Sequence, residues 1–268
     1  MLVDGYDLQR KVPRRSHGRL LWRILQNYAV ITEPMQIGPF SIDFTRVADP
    51  NIVLNAVALE EDRMKSAKGV LGCGRELHLP YWAELWDSAL GLATFLVNQW
   101  SHCGAGESAI SEWARQRVRS DSTHMPLLRA LDLGCGMGLS GAVAARLGMQ
   151  VLFADFETPA LLFAELNSLP DQERCRTRKI DWQTDRLSEQ FDLILGADIV
   201  YDRAQWGYLE RFFQVHLAPG GAVLIGEPGR SSAEEFETWA SARGWKIQIF
   251  TQAIPARESP IRMLQLKK

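Results

Sequence analysis

Short apolar runs alternate with amphipathic stretches of helical period from residue 129 onward. The repeated pattern of strand and then helix predicts strands at residues 129–133, 150–154, 176–180, 191–196 and 221–226. The amphipathic stretches predict helices near residues 139–148, 158–168, 203–217 and 232–243. Because strands that alternate with helices pair in parallel through right-handed crossovers, this part of the chain is predicted to form a doubly wound α/β sheet.

The C-terminal stretch breaks this alternation. Residues 245–251 and 261–266 have the pattern of two strands, and the proline-containing segment between them is too short for a helix. Two strands joined in this way form an antiparallel hairpin. The whole sheet is therefore predicted to be Rossmann-like and seven-stranded, with five parallel strands and the hairpin at one edge.

The N-terminal part of the chain has a different pattern. Apolar residues recur at helical spacing over residues 20–28, and they alternate with polar residues over residues 40–45. An Asp-Pro pair beginning at residue 49 is typical of a helix start. We therefore predict an N-terminal α+β appendage of helix and hairpin at residues 1–79, followed by the main domain at residues 80–268.

Composition narrows the class of protein. The chain has 268 residues, 46% of them hydrophobic, and a net charge of −2, which argues against a protein built to coat a polyanion. No stretch approaches the ~20 apolar residues of a membrane span, and the basic N-terminus lacks the apolar centre of a signal peptide. The cysteines form no Cys-x-x-Cys pair and the histidines no paired spacing. We expect a cytoplasmic protein without a metal site, and we expect no contact with nucleic acid or membrane.

A glycine-rich motif directly follows the strand predicted at residues 129–133. It reads acid-x-Gly-x-Gly-x-Gly, with Asp132 as the acid and Gly134 and Gly136 as the first two glycines. Glycines let the chain turn sharply into the next helix and let a ligand approach the backbone. A carboxylate under this loop would repel a pyrophosphate and attract an amine or a sulfonium. The motif therefore favours S-adenosyl-L-methionine as the cofactor.

A dinucleotide is the competing ligand for this loop. In the dinucleotide fingerprint the third glycine would follow Gly134 at position 139, which is a leucine. A shifted match exists at Gly136, Gly138 and Gly141, with Asp155 at a suitable distance. The loop by itself leaves this alternative open.

Further polar and aromatic residues follow the next strands, where an α/β sheet places its ligand contacts. Asp155 ends the second strand, where its carboxylate would accept hydrogen bonds from both ribose hydroxyls, or else cap the next helix. Asp181 and Trp182 follow the third strand and would offer an acceptor and a ring face to adenine, unless the Trp only fills space. Asp198 and Tyr201 follow the fourth strand and are expected to lie beside the transferred group.

Together these motifs resemble a known family. The glycine motif, the Asp181-Trp182 pair, the Asp198-Ile-Val-Tyr201 segment and a Pro-Tyr-Trp-Ala-Glu-Leu-Trp-Asp-Ser run at residues 80–88 are similar to those of the seven-β-strand protein-lysine methyltransferases. Gly-Glu-Pro-Gly-Arg at residues 226–230 is similar to the branch that methylates the electron-transfer flavoprotein β subunit and its bacterial relatives. The resemblance covers residues 80 to 230, with an unusually long segment at residues 101–127.

The resemblance implies positions for the cofactor and the substrate. Trp86 would lie on the methionine side of the cofactor, and Ala197 would line it. Asp198 and Tyr201 would face a lysine side chain of a protein substrate. Whether Asp198 takes the proton of the lysine or only positions the amine stays open at this stage.

Other functions share the same cofactor motifs. A small-molecule amine methyltransferase would need the same loop and acids, and a non-catalytic S-adenosylmethionine-binding module could keep them as well. Methylation of a nucleobase amine is disfavoured, because the segment after Asp198 lacks the Pro-Pro-aromatic sequence usual for that reaction. The leading hypothesis is N-methylation of a protein lysine.

Overall fold

A computed structural model of the chain describes residues 14–68, 79–101, 110, 112, 127–255 and 257–268. Most of the long segment at residues 101–127, and the junction before residue 80, lie outside the described residues. The described helices are α1 Arg14–Leu25, α2 Pro50–Lys68, α3 Asp87–Ser101, α4 Leu139–Arg146, α5 Thr158–Asn167, α6 Trp206–His216 and α7 Ser231–Ser241. The described strands are β1 Val30–Ile37, β2 Phe40–Val47, β3 Arg129–Leu133, β4 Gln150–Asp155, β5 Cys175–Lys179, β6 Phe191–Ala197, β7 Leu217–Glu227, β8 Lys246–Gln252 and β9 Ile261–Lys267.

Seven of these strands form one sheet in the order β5-β4-β3-β6-β7-β9-β8. The first five strands of this order pair in parallel, whereas β9 is antiparallel to both β7 and β8. The strand order reverses after β3, which places a topological switch point beside the glycine loop. The predicted Rossmann-like seven-stranded sheet with a C-terminal hairpin is confirmed.

One strand begins earlier than the sequence predicts. β7 starts at Leu217, because Leu217 pairs with Phe191 before a register shift in β6. The Pro-Gly pair at residues 219–220 indicated a turn there, and Gly220 has a positive φ of 76°. The preceding helix α6 is correspondingly shorter than predicted, because residues 203–205 form a separate 3₁₀ turn.

Alternate side chains of the sheet fill two cores. One core contains Val151, Phe153 and Leu193 and is covered by α1, the β1–β2 hairpin, α3, α4 and α5. The other core contains Leu131 and Leu152, and it is covered by α6 and α7. Burial on both faces explains why these strands are continuous apolar runs.

The N-terminal hairpin is joined to helix α5 of the main domain through a buried asparagine at the end of that helix. The Thr45 N–H donates to Asn167 Oδ1 at 2.8 Å, and Asn167 Nδ2 donates to the Thr45 carbonyl at 2.9 Å. The same Nδ2 donates to the carbonyl of Met137 in the glycine loop at 2.9 Å. The hairpin is therefore tied to the loop that the sequence identifies as the cofactor site. No helix within the described ranges has the length and apolarity of a membrane span.

Candidate active site

The glycine loop between β3 and α4 lies at the carboxyl edge of the sheet. Gly134 and Gly136 have positive φ values of 64° and 51°, a conformation that favours glycine. A Cβ atom at Gly134 would lie 3.1 Å from Ile199 Cγ2 and 3.5 Å from the ring of Trp182. The loop therefore leaves backbone, and no side chain, exposed between the ends of β3, β6 and the segment after β5.

Gly138 and Gly141, which complete the shifted dinucleotide match, serve packing. A Cβ at Gly138 would lie 2.7 Å from Ala164 of α5. A Cβ at Gly141 would lie 2.8 Å from Asp132 Oδ2 and would collide with the ring of Phe153. Close packing of helix on helix and helix on strand explains these two glycines without a pyrophosphate.

Asp132 lies buried beneath the loop. Its Oδ2 accepts a hydrogen bond of 2.8 Å from the Gly141 N–H in the first turn of α4. Burial raises the pKa of Asp132 to about 7; the Gly141 hydrogen bond opposes this shift and the nearby Asp155 adds to it. Asp132 is thus a carboxyl group that changes its charge near neutral pH.

Asp155 at the end of β4 holds the glycine loop in place. Its Oδ2 accepts from the Gly136 N–H at 2.9 Å, and its Oδ1 accepts from the Glu157 N–H at 2.9 Å. Burial raises its pKa to about 6, while these backbone hydrogen bonds oppose the shift. The residue before α5 is Glu157, so Asp155 supports the turn into the helix and does not occupy the cap position itself.

Trp182 is fixed by a glutamine from a distant part of the chain. Its Nε1 donates to Gln205 Oε1 at 3.1 Å, and Gln183 Nε2 donates to the same oxygen at 2.9 Å. Asp181 Oδ1 accepts from the Gln183 N–H at 2.9 Å and closes the turn after β5. The hydrogen bond at Nε1 therefore holds the indole ring of Trp182 next to Gly134.

A cavity of about 440 Å³ opens beside the ends of β6 and β7. It is lined by Glu84, Leu85, Trp86, Asp87, Ser88, Asp198, Pro228, Gly229, Arg230 and Arg257. Asp198 is a buried acid with φ of +56°, the only non-glycine residue with positive φ among those described. Backbone strain of this kind clusters at functional sites.

Arg230 forms a bidentate ion pair with Asp198. Its Nε lies 2.9 Å from Oδ1, and its Nη2 lies 2.6 Å from Oδ2. The hydrogen bond to Asp198 raises the pKa of Arg230. The acid predicted to face the substrate therefore already has a cationic partner within the chain.

An aromatic row extends from Trp86, which lines this cavity. The ring centroids of Tyr201 and Tyr81 are 6.0 Å apart, and those of Tyr81 and Trp86 are 6.2 Å apart, both in edge-to-face geometry. Trp86 Nε1 donates to the Tyr81 carbonyl at 3.0 Å. Burial, followed by the neighbouring Tyr81, raises the pKa of Tyr201. The row joins the segment before α3 to the end of β6.

Comparison with known proteins decides the family. The sequence model of the lysine methyltransferase family matches residues 80–237. The chain belongs to this family.

Two curated relatives illustrate the similarity. The electron transfer flavoprotein beta subunit lysine methyltransferase of Danio rerio is 33% identical over 163 residues, which are 58% of this chain and 53% of the relative. Protein N-lysine methyltransferase METTL21A of Xenopus tropicalis is 30% identical over 151 residues, 53% of this chain and 58% of the relative. The chain thus spans little more than half the length of these relatives.

Family membership confirms the predicted resemblance to the lysine methyltransferases and S-adenosyl-L-methionine as the cofactor. The residues at the carboxyl edge fit this cofactor. Gly134 and Gly136 leave room at the backbone, and the carboxylates of Asp132 and Asp155 suit a ligand with a cationic centre and ribose hydroxyls.

In this member of the lysine methyltransferase family, most of the predicted site residues fall into two groups. Around the loop, Gly136 is hydrogen-bonded to Asp155, and Gly134 lies against the ring of Trp182. Four others lie at the cavity or close to it. Trp86 and Asp198 line the cavity, Tyr201 stands in the aromatic row, and Ala197 pairs with Gly226 just before Asp198. Asp132 lies beneath the loop, and the side chain of Asp181 accepts a hydrogen bond from the backbone of the turn that follows it. Neither is therefore shown to face the cleft.

Sequence reasoning missed two residues of this site. Gln205 holds Trp182, but nothing in its local sequence marks it. Arg230 holds Asp198, and a usable signal existed for it, because the segment at residues 226–230 follows the fifth parallel strand. Residues at that position reach the same edge as those after the other strands.

Replacement of Asp132 by asparagine separates its charge from its hydrogen bond. The folded carboxyl keeps a proton up to about pH 7, whereas an unfolded one loses it near 4. The folded state therefore binds more protons in this window, so the contribution of Asp132 to stability falls as pH rises from about 4 to about 7.

An asparagine oxygen can still accept from Gly141, and it carries no charge to bury. We expect Asp132→Asn to raise the free energy of unfolding at pH 8 by about 1–2 kcal/mol and to flatten its dependence on pH. Urea titrations at pH 5 and pH 8 test this effect. A variant that is less stable than wild type at pH 8 would contradict the burial argument.

Proposed function

We propose that this protein transfers a methyl group from S-adenosyl-L-methionine to the side-chain amine of a lysine in a protein. One observation carries the proposal. Asp198 and Trp86 line one open cavity in a member of the lysine methyltransferase family, and the rings of Tyr81 and Tyr201 continue from Trp86 as an aromatic row. An acid and aromatic rings in a cleft are suited to a long side chain that ends in an amine.

The cofactor would be held by the loop edge. S-adenosyl-L-methionine, when bound, supplies a methyl group on a cationic sulfur. The backbone of Gly134 and Gly136 would support it, and Asp155 would accept hydrogen bonds from the ribose through the lone pairs that its two backbone hydrogen bonds leave. Trp182 would stack on adenine, with Asp181 as an acceptor nearby, and Trp86 and Ala197 would border the methionine part.

The remaining residues orient the acceptor amine. Asp198 would accept an N–H hydrogen bond and so direct the lone pair of the amine towards the cofactor. The aromatic row tolerates a methylated, cationic product. Orientation and exclusion of water can contribute ~7–11 kcal/mol to such a displacement, so little further chemistry is required of the protein.

A protein substrate is supported by the relatives. Their names identify one as a methyltransferase for the electron transfer flavoprotein beta subunit and another as a protein N-lysine methyltransferase. A small-molecule amine remains the second candidate, since the cavity itself does not distinguish a free amine from a tethered one. A non-catalytic binding module is disfavoured by the complete set of acids, glycines and aromatic residues.

We also propose the wider setting of the protein. The division into an appendage at residues 1–79 and a main domain at residues 80–268 is supported by the family match, which begins at residue 80. A cytoplasmic location is supported by free thiols at Cys135 and Cys175. The expectation that nucleic acid is no partner rests on the net charge of −2.

Methyl transfer from radiolabelled S-adenosylmethionine into a cell extract tests the function. We expect label on a discrete protein band, which resists RNase and DNase and maps to a lysine by tandem mass spectrometry. Label confined to small molecules would favour the second candidate. Label on no component, with cofactor binding intact, would favour the binding module.

A further inference from the structure

The carboxylate of Asp198 is electrostatically balanced before any substrate arrives. Arg230 contacts both of its oxygens, and only 6% of the Asp198 side chain is exposed, against 42% for Arg230. Each carboxylate oxygen has two lone pairs, so the bidentate pair leaves acceptor capacity on the side that lines the cavity. Asp198 can accept one more hydrogen bond without carrying an unpaired charge.

Arg230 is held in this position by the loop after β7. Glu227 Oε2 accepts from the N–H groups of Gly229 at 2.6 Å and of Arg230 at 3.0 Å. Glu227 is fully buried and pairs with Arg262 at 2.9 Å. The guanidinium also lies 5.9 Å from the ring centroid of Trp86. The backbone hydrogen bond to Glu227 and the contact with Trp86 thus hold Arg230 beside Asp198.

The other charged groups around the cavity are Asp87, Arg257, Glu84 and, in the next segment, Asp202. Asp87 pairs with Arg257 at 3.5 Å. Glu84 is exposed at the rim, and Asp202 accepts from the Ala204 N–H in the next turn. The tyrosines that approach are Tyr81 and Tyr201, and the pKa of Tyr201 is raised, so it is neutral at physiological pH. Around the cavity, the paired charges of Asp198 with Arg230 and of Asp87 with Arg257 therefore cancel, and the exposed Glu84 adds one negative charge.

This balance affects the protonation of an incoming lysine. Lysine has a reference pKa of ~10.4, and only its neutral amine has the lone pair that can accept a methyl group. An unpaired carboxylate would stabilise the ammonium form and raise that pKa, whereas a cation beside the amine lowers it. An acid that is already paired with arginine can orient the amine without favouring its charged form.

We propose that Arg230 is a positioning residue that neutralises Asp198, so that the target lysine is bound and methylated as a neutral amine while Asp198 serves only as its hydrogen-bond acceptor. The proton of the lysine leaves to solvent water at the open mouth of the cavity, and Asp198 never takes it. The exposed Glu84 at the rim attracts the approaching ammonium before it is deprotonated. This inference rests on the proposed function, because it concerns the acceptor site for the lysine.

A small amine probes the cavity directly, without the natural substrate. N-methylbutylamine with a ¹³C-labelled methyl group resembles a monomethylated lysine side chain, and the shift of its methyl carbon reports protonation. We expect the probe, bound to the protein with S-adenosylhomocysteine, to titrate at least one pKa unit below the free amine. In Arg230→Gln the bound pKa should return to the free value or exceed it, and in Arg230→Lys it should be intermediate.

Arg243→Gln is a matched control. Arg243 is 48% exposed, pairs with Glu210 at 3.0 Å and lies over Trp239, but it is on another part of the surface from the cavity. We expect it to leave the titration of the probe unchanged. Thermal melts establish that each variant is folded before it is titrated.

Two results would overturn the inference. The first is equal pKa values of the bound probe in wild type and Arg230→Gln, and the second is no saturable binding of the probe. The rate of methyl transfer gives a second readout. We expect Arg230→Gln to lower this rate about tenfold at pH 7 and to approach the wild-type rate as pH rises. A merely structural role of Arg230 would lower the rate equally at every pH. Failure of lysine labelling in extracts, with a titration as expected, would reject the proposed substrate and not the electrostatic role.

Discussion

Replacing Asp155 by alanine is expected to weaken S-adenosylmethionine binding by at least about 100-fold. The change removes the acceptor for the N–H groups of Gly136 and Glu157, and with it the acceptor proposed for the ribose hydroxyls. Hydrogen bonds to a charged group contribute about 1.5–3 kcal/mol each, so the loss of two or more exceeds a factor of 100. Calorimetric titration of wild type and variant measures the effect.

Asp192→Ala is the matched control for this change. Asp192 Oδ2 also accepts a hydrogen bond from a backbone N–H, that of Arg129 at 2.8 Å, but at the beginning of β3 and β6. That edge is opposite to the glycine loop, so we expect the control to cost some stability and to leave cofactor affinity unchanged. Equal affinities of Asp155→Ala and wild type would refute the assignment of the loop edge as the cofactor site.

Replacing Asp198 by asparagine is expected to lower kcat/KM for methyl transfer by about 100-fold or more while cofactor affinity is retained. Asparagine tolerates the positive φ of 56° at this position, so the backbone should be preserved. The carboxylate is lost, however, which leaves Arg230 without its anionic partner beside the amine. A hydrogen bond to a charged acceptor contributes up to about 3 kcal/mol, which corresponds to roughly 100-fold in rate.

The partly exposed Asp202 provides the control for this second prediction. Its Oδ1 accepts from the Ala204 N–H at 2.9 Å, and an asparagine there can keep that hydrogen bond. Asp202→Asn removes the same charge from the same segment, four residues further along the chain. We expect it to lower kcat/KM for methyl transfer less than threefold. If Asp198→Asn also lowers kcat/KM less than threefold, the cavity beside β6 is not where the amine that accepts the methyl group is oriented.

Local sequence determined what could be predicted of the fold. The alternation of apolar runs and helical stretches is a local signal, and burial on both faces makes the strands β3, β4, β6 and β7 strongly apolar. The glycine motif is local as well, because positive φ and close approach leave no other residue type at Gly134. These parts of the prediction are confirmed by the sheet order and the family match.

Pairings between distant residues could not be predicted in this way. Arg230 and Asp198 are separated by 32 positions, and Thr45 and Asn167 by 122. Such contacts depend on how strands and loops meet after folding, which a single sequence does not specify. The sequence predicts a later start for β7 than the structure shows, for a related reason. The first residue of β7 is defined by its pairing with Phe191 across a bulge. The sequence places Asp132 and Asp181 at the carboxyl edge of the sheet. The hydrogen bonds that their side chains accept from the backbone are visible only in the structure.

Calorimetric titration of the wild-type protein with S-adenosylmethionine, S-adenosylhomocysteine and NAD is the most direct test of the central claim, that the carboxyl edge around Gly134 and Asp155 is an adenosylmethionine site. We expect micromolar binding of both adenosyl ligands with one site per chain, and no saturable binding of NAD. Binding of NAD with no response to the adenosyl ligands would contradict the account of the loop and, with it, the proposed chemistry.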